Sequence, residues 1–232
     1  TGEAGREPQK AGVAVSDIFT GLYSVIAIQA ALRHAEKTGE GQHIDMALYD
    51  TQISALGNQN LNYLVSGKSP VQMGNAHMNI APYEVVPVKD GHIILAIGND
   101  GQFAKFCAAI GLDDLPSNPD FATNPARVAN RAKLREHIIE ALKTFDRDPL
   151  LAKLEAASVP ASPINTIGEM FADPQTIARG MRLDLDDGHG NLLPSVRAPM
   201  VMSGTPLVYE RPSPRLGEHT EEILAELERS GK

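Results

Sequence analysis

From Ser16 to about Lys37 the chain carries Leu22, Val25, Ile26, Ile28, Ala31 and Leu32. No other segment constrains the fold as strongly. The spacing predicts one long helix that is apolar on most sides, and such a helix is expected to be buried by its neighbours. Ser16 is a good N-cap residue, which puts Asp17 in the first turn after the strand-like approach Val13-Ala14-Val15. There the unpaired backbone N–H groups and the positive end of the helix dipole favour an ionised carboxylate. Gly21 and the small residues after it leave room for other groups beside that turn, and Thr38-Gly39-Glu40-Gly41 stops the helix. A carboxylate held at a helix start is either a capping residue or a nucleophile that forms acyl intermediates. Local sequence leaves both open.

The order that follows predicts an α/β chain. His43–Ala47 is expected as a short strand and residues 48–65 as a helix, which suits the end of a doubly wound domain. The stretch from Gly67 to Ala81 is rich in Gly, Pro, Ser and Asn and is expected to hold a domain boundary. Two β-branched runs, Tyr83–Val88 and Ile93–Ile97, flank Asp90-Gly91, a strong hairpin signal. Helices are expected over 102–110, 126–145 and from Asp148-Pro149, with Pro160–Pro163 as an extended link. Short helices near 167–172 and 174–179 precede a strand at 181–185, a turn at Gly188-His189-Gly190-Asn191 and a Pro-rich extended stretch over 194–214. Thr220 is read as the cap of a last helix over about 220–229.

Composition narrows the function classes. A formal charge of −8 without any Lys/Arg run gives no support to nucleic-acid binding. The single cysteine, Cys107, lies between Phe106 and Ala108 and reads as a buried thiol, so no intrachain disulfide framework exists. No Cys/His group has zinc-ligand spacing, and no metal site is expected. No uninterrupted apolar run approaches the ~20 residues a bilayer span needs, and no signal-peptide pattern is present. A cytoplasmic chain with no membrane partner is expected. The first residue is Thr1, and the Gly-, Pro- and charge-rich opening resembles an internal loop. The chain is therefore read as the C-terminal portion of something longer.

Several separated motifs occur in order: Val13–Gly21, the segment Lys37–Asp50, Gly74-Asn75-Ala76-His77, Ala81-Pro82-Tyr83, Asp173-Pro174-Gln175 with Ala178-Arg179-Gly180-Met181, and Leu216-Gly217-Glu218-His219-Thr220. Together they resemble the class III CoA-transferases, a family also named after carnitine dehydratase and the bile-acid-inducible F protein. It includes formyl-CoA transferase and α-methylacyl-CoA racemase. The resemblance implies that Asp17 attacks an acyl-CoA thioester, forming a mixed anhydride and then an aspartyl-CoA thioester. A second carboxylic acid displaces the CoA through another anhydride. Acyl-CoA and small carboxylic acids are the implied partners, with coenzyme A entering as part of the substrate. The implied fold is a large Rossmann-like CoA-binding domain, a small α/β domain and a C-terminal segment that returns to the large one, in an interlocked homodimer. On that scheme residues 1–70 finish the large domain, 71–180 form the small domain and 181–232 return. The CoA contacts are expected mainly before Thr1, so no cofactor-binding residue is assigned.

The resemblance also weighs the loop. Formyl-CoA transferase has a glycine-rich lid near the place of Gly74, Asn75, Ala76 and His77; here only Gly74 and Ala76 are small. The loop is either a lid or substrate-contacting segment, or a plain connector. His77 either donates to a substrate carboxylate or moves a proton, or is an exposed loop histidine. The racemases share Asp17 as an acid/base partner, but carry a glutamate in the stretch matching Ile97–Phe103, where this chain has Gly98-Asn99-Asp100-Gly101-Gln102. That favours the transferase. The alternatives are a racemase-like epimerase, or an inactive fragment held by a missing half or a second subunit. Asp45 and Asp50, on either side of Tyr49, are read as serving strand and helix ends.

Overall fold

Apolar residues alternate along Tyr83–Val88 and Gly91–Ala96, and these segments form β1 and β2 in the computed structural model, which describes residues 2–230. The strands pair antiparallel with Val86 opposite Ile93 and Glu84 opposite Leu95, so one face of the hairpin is buried. Val88 pairs with Gly91, which leaves Lys89-Asp90 as the two-residue loop; Gly91 belongs to the strand rather than the turn. The expected link Pro160–Pro163 supplies a third strand, β3 (Ala161–Pro163), paired with Ile93–Leu95. Prolines suit it because it is an edge strand of the order β1-β2-β3.

Helices close the buried face of this sheet. Along α4 (Asp100–Ile110), Phe103, Phe106, Cys107 and Ile110 point inward. Residue Asn99 caps it, its Oδ1 accepting from the Gln102 N–H at 2.9 Å. The single helix expected over 126–145 is two, α5 (Asn124–Ala129) and α6 (Arg131–Leu142), broken at Asn130. The Asn130 side chain explains the break, since its Nδ2 donates to the carbonyls of Asp120 and Ala126. Leu134, Ile138 and Leu142 of α6, with Leu150 and Leu154 of α7 (Arg147–Ala156), complete the core.

Upstream lie α1 (Val15–Thr38), α2 (Leu48–Ala55) and α3 (Asn58–Ser66). The expected strand at His43–Ala47 is absent. That stretch has no regular structure, and no strand pairs with it among the described residues. The expected helix over 48–65 is interrupted at Gly57, whose φ of 56° and ψ of −124° no helix accommodates. No side chain of α1 is buried among the described residues, contrary to the expectation from its composition; Ile26 is 63% exposed. By length and composition alone α1 is also able to cross a membrane, although it contains no uninterrupted apolar run of that length. A helix that packs on a sheet has the same composition, so this property does not by itself identify the surroundings.

Contacts divide the chain into two compact units, one ending at Pro163 and the other beginning at Ile164. The second contains α8 (Ile167–Ala172), α9 (Pro174–Ala178), the antiparallel hairpin of β4 (Arg182–Asp186) and β5 (Leu192–Val196), and α10 (Thr220–Ser230). Thr166 and Glu169 form a capping box on α8, and Asp173 caps α9. The cap of α10 is one residue earlier than expected, because the His219 carbonyl accepts the first helical bond from Ile223. None of the described residues of this unit is buried. The buried side chains of the chain are concentrated between Ala81 and Val159, with Thr51 the exception upstream.

Candidate active site

Asp17 lies in the first turn of α1, as its sequence position requires. The N-cap of α1 lies two residues earlier than expected, at Ala14 with no side-chain cap bond, so Ser16 is not the cap. The Ser16 hydroxyl instead donates to Oε1 of Gln52 on α2, tying the turn that carries Asp17 to the next helix. The Asp17 side chain is exposed, and no hydrogen bond or ion pair engages it among the described residues. An ionised carboxylate here gains from the helix dipole while both oxygens stay accessible. A methyl group built at Gly21 would meet open space, so no described group makes the close approach that Gly21 permits.

The loop at 74–77 is anchored at several points. Gly74 has a φ of 63°, which favours glycine, and its N–H donates to the Gly2 carbonyl at 2.9 Å. Asn75 Oδ1 accepts from the Val85 N–H at 2.9 Å, and the Ala76 N–H closes a turn onto Met73. His77 is half-buried. Its N–H donates to the Tyr83 carbonyl at 2.8 Å, and its ring stacks on Tyr83 with centroids 5.2 Å apart. Its Nδ1 accepts from the Asn79 N–H at 3.1 Å, so a neutral imidazole here carries its proton on Nε2. The ring is half-buried against β1 rather than fully exposed, and in that tautomer its Nε2–H is the group left to donate. Gly74, Ala76 and Met78 also line a largely apolar cavity of about 730 Å³ whose other wall includes Tyr63 and Leu64 of α3. No hydrogen bond or ion pair joins Asp17 to residues 74–77 among the described residues.

Three other residues escaped the sequence reading. Arg127 is fully buried, with Nε on the Ala81 carbonyl, Nη1 on the Phe121 carbonyl and Nη2 on Asp100, and its guanidinium lies over the Phe103 ring. Asp100, considered above only as part of Gly98-Asn99-Asp100-Gly101, is the anionic partner of that buried cation. Glu84 occupies an inward position of β1 and pairs with Arg135 at 2.8 Å. The signal for Glu84 is a charge in the apolar register of a strand; for Arg127 it is a charge on the stripe that continues into Leu134 and Ile138. The other acidic pair serves element ends only in part. Asp50 falls in the first turn of α2, while Asp45 lies in the stretch that is not a strand. No group of three or more metal-ligating side chains occurs among the described residues.

The fold and these motifs have close relatives. The chain is 59% identical over 229 residues to a succinate–glutarate CoA-transferase of Agrobacterium fabrum, covering 98% of this chain and 57% of that protein. It is 36% identical over 228 residues to a human succinyl-CoA:glutarate CoA-transferase, covering 98% of this chain and 52% of that one. The chain thus spans little more than half the length of these curated relatives. The crystal structure of a CAIB/BAIF family protein from Brucella suis superposes with a TM-score of 0.81 at 55% identity, covering 98% of this chain and 59% of that one. The profile of CoA-transferase family III matches residues 1–220, and the chain belongs to that family.

Proposed function

We propose that this chain carries the nucleophile and the substrate loop of an acyl-CoA:carboxylate CoA-transferase. The observation that supports this most directly is Asp17: an exposed carboxylate, unpaired among the described residues, in the first turn of a long helix of a family III chain. A carboxylate acting as a plain cap would accept from N–H groups of its own helix, and none does so at Asp17 among the described residues.

In the proposed sequence, an Asp17 oxygen attacks the thioester carbonyl, the C–S bond breaks and the CoA thiolate leaves, giving a mixed anhydride. The thiolate then attacks the Asp17 carbonyl carbon, expelling the donor acid as its carboxylate and leaving an aspartyl-CoA thioester. The acceptor carboxylate attacks that thioester, freeing the thiolate again. The thiolate finally attacks the acceptor acyl carbon and regenerates the Asp17 carboxylate. An anhydride is at least as activated as a thioester, so no step needs external energy, but each intermediate must be shielded from water. The loop Gly74, Asn75, Ala76 and His77 is suited to that shielding, and the His77 Nε2–H is suited to donate to a substrate carboxylate. The names of the two curated relatives point to C4 and C5 dicarboxylic acids and their CoA thioesters as the substrate class. The proposed assembly is an interlocked homodimer in the cytoplasm, with a Rossmann-like large domain finished by residues 1–70, a small domain over 71–180 and a returning segment over 181–232. The unburied apolar surface of α1 supports it, since a surface of that kind is normally covered.

Denaturing intact-mass spectrometry after brief incubation with succinyl-CoA and glutaryl-CoA tests the mechanism. A CoA or acyl adduct that disappears in Asp17→Asn is expected. An adduct retained in that variant, or retained turnover, would overturn it. Exchange of the α-proton with solvent in place of an adduct would point to the racemase-like alternative.

A further inference from the structure

Residues 77–81 belong to no helix or strand, yet side chains from elsewhere hold most of their peptide groups. Arg131 Nη2 donates to the His77 carbonyl at 2.7 Å and to the Met78 carbonyl at 3.1 Å. Asn124 Nδ2 donates to the Asn79 carbonyl at 2.9 Å, while its Oδ1 accepts from the Ala81 N–H at 3.1 Å. Arg127 Nε donates to the Ala81 carbonyl at 2.7 Å. Positions 124 and 127 lie one turn apart on α5, and 131 opens α6 just past the break at Asn130; the three side chains form one stripe through the partner they share. Each end of the segment meets a different side chain of this stripe, and the carbonyls of four of its five residues are bonded to it.

Arg131 differs from the other two in one respect. Its Nη1 is buried without a hydrogen-bond partner among the described residues. Burial of the cation also lowers its pKa, an effect that the nearby Glu84 partly offsets. An apolar side chain of similar length would fill the space without orphaning a donor. What an apolar side chain cannot supply is the pair of bonds to His77 and Met78.

We propose that Arg131 is a positioning residue for the transfer reaction, fixing the backbone of His77 and Met78 and with it the loop wall formed by Gly74, Ala76 and Met78. This assignment rests on transfer through Asp17 with the loop at the site. Arg131 touches no reacting atom in this role; it acts through the loop, where a displacement of an ångström is enough to slow a reaction substantially.

The test uses the intact protein with Arg131→Met and Arg131→Lys, followed by amide exchange and steady-state kinetics. In Arg131→Met, exchange at the amides of 77–81 is expected to rise about tenfold, while α4 amides keep their protection. The expected fall in kcat is roughly ten- to a hundredfold, with KM for the acyl-CoA within about twofold. Arg131→Lys, which keeps a donor and a charge, should restore part of both. Unchanged exchange at 77–81 overturns the clamp. Raised exchange with unchanged kcat and KM overturns its role in the reaction. Asp17→Asn, measured alongside, separates the two readings: turnover retained there defeats transfer through Asp17, whereas turnover lost there but normal in Arg131→Met defeats only the positioning role.

Discussion

Asp17 and Cys107 show how the same chain places two ionisable side chains in opposite surroundings. Asp17 sits exposed in the first turn of a helix. Cys107 is fully buried on α4 among Phe103, Phe106 and Ile110, and burial pushes its thiol up to about 12. A thiol with such a pKa stays protonated at neutral pH, and only the thiolate is a nucleophile. Iodoacetamide at pH 8 is therefore expected to leave Cys107 unmodified in the folded protein and to alkylate it once the protein is denatured. Equal rates in the two states would mean that the core around α4 opens readily.

At the scale of elements, turns and caps depend on a few side-chain acceptors. The β4–β5 turn is built on Asp187, whose carboxylate accepts from the His189 and Asn191 N–H groups and from the Asn191 side chain. Those bonds to the charged form, the Asn191 side chain first, lower its pKa from 3.8 to about 2. A carboxyl group depressed in the folded state contributes stability that is fully present above its unfolded value and is lost as pH falls through the folded one. The turn should thus hold at pH 5 and loosen progressively between about pH 4 and pH 2. The Asn191 and His189 amide resonances should report a midpoint near 2. A midpoint at the ordinary aspartate value would show that these bonds do not form in solution. Helix breaks follow the same logic: Asn130 ends α5 by bonding backward, and Gly57 separates α2 from α3 by a conformation other residues avoid.

For the whole molecule, the distribution of burial is the informative quantity. The sheet and α4 to α7 enclose one buried apolar cluster, whereas α1 exposes Leu22, Val25, Ile26 and Leu32. Exposed apolar surface on this scale tends to associate. The proposed homodimer predicts twice the monomer mass in light scattering at micromolar concentration. Replacing Leu22 and Ile26 together by Glu should shift the mass toward monomer while leaving the Cys107 protection of the core intact. A monomeric wild-type protein would remove the dimer from the proposal.

Much of this was legible in the sequence for local reasons. Alternation along β1 and β2, the stop at Thr38-Gly39 and the family motifs around Asp17 and Gly74 depend on residues close in the chain, and the structure places the first two where the pattern requires. What failed was non-local. His43–Ala47 has strand-like composition but no neighbour to pair with, and Pro160–Pro163 looked like a link yet gains β2 as one. Composition made α1 a buried helix, but burial belongs to whatever packs against it. The clamp on residues 77–81 was hidden for the same reason: its donors lie about fifty positions away in sequence. The sequence by itself determined which segments alternate and where the chain turns, because those depend on backbone sterics and near neighbours, whereas the caps of α1 and α10 fell one or two residues from where it put them. Only the tertiary structure decided which charges are buried and which loop they hold, because hydrogen bonds and desolvation act between groups that folding alone brings together.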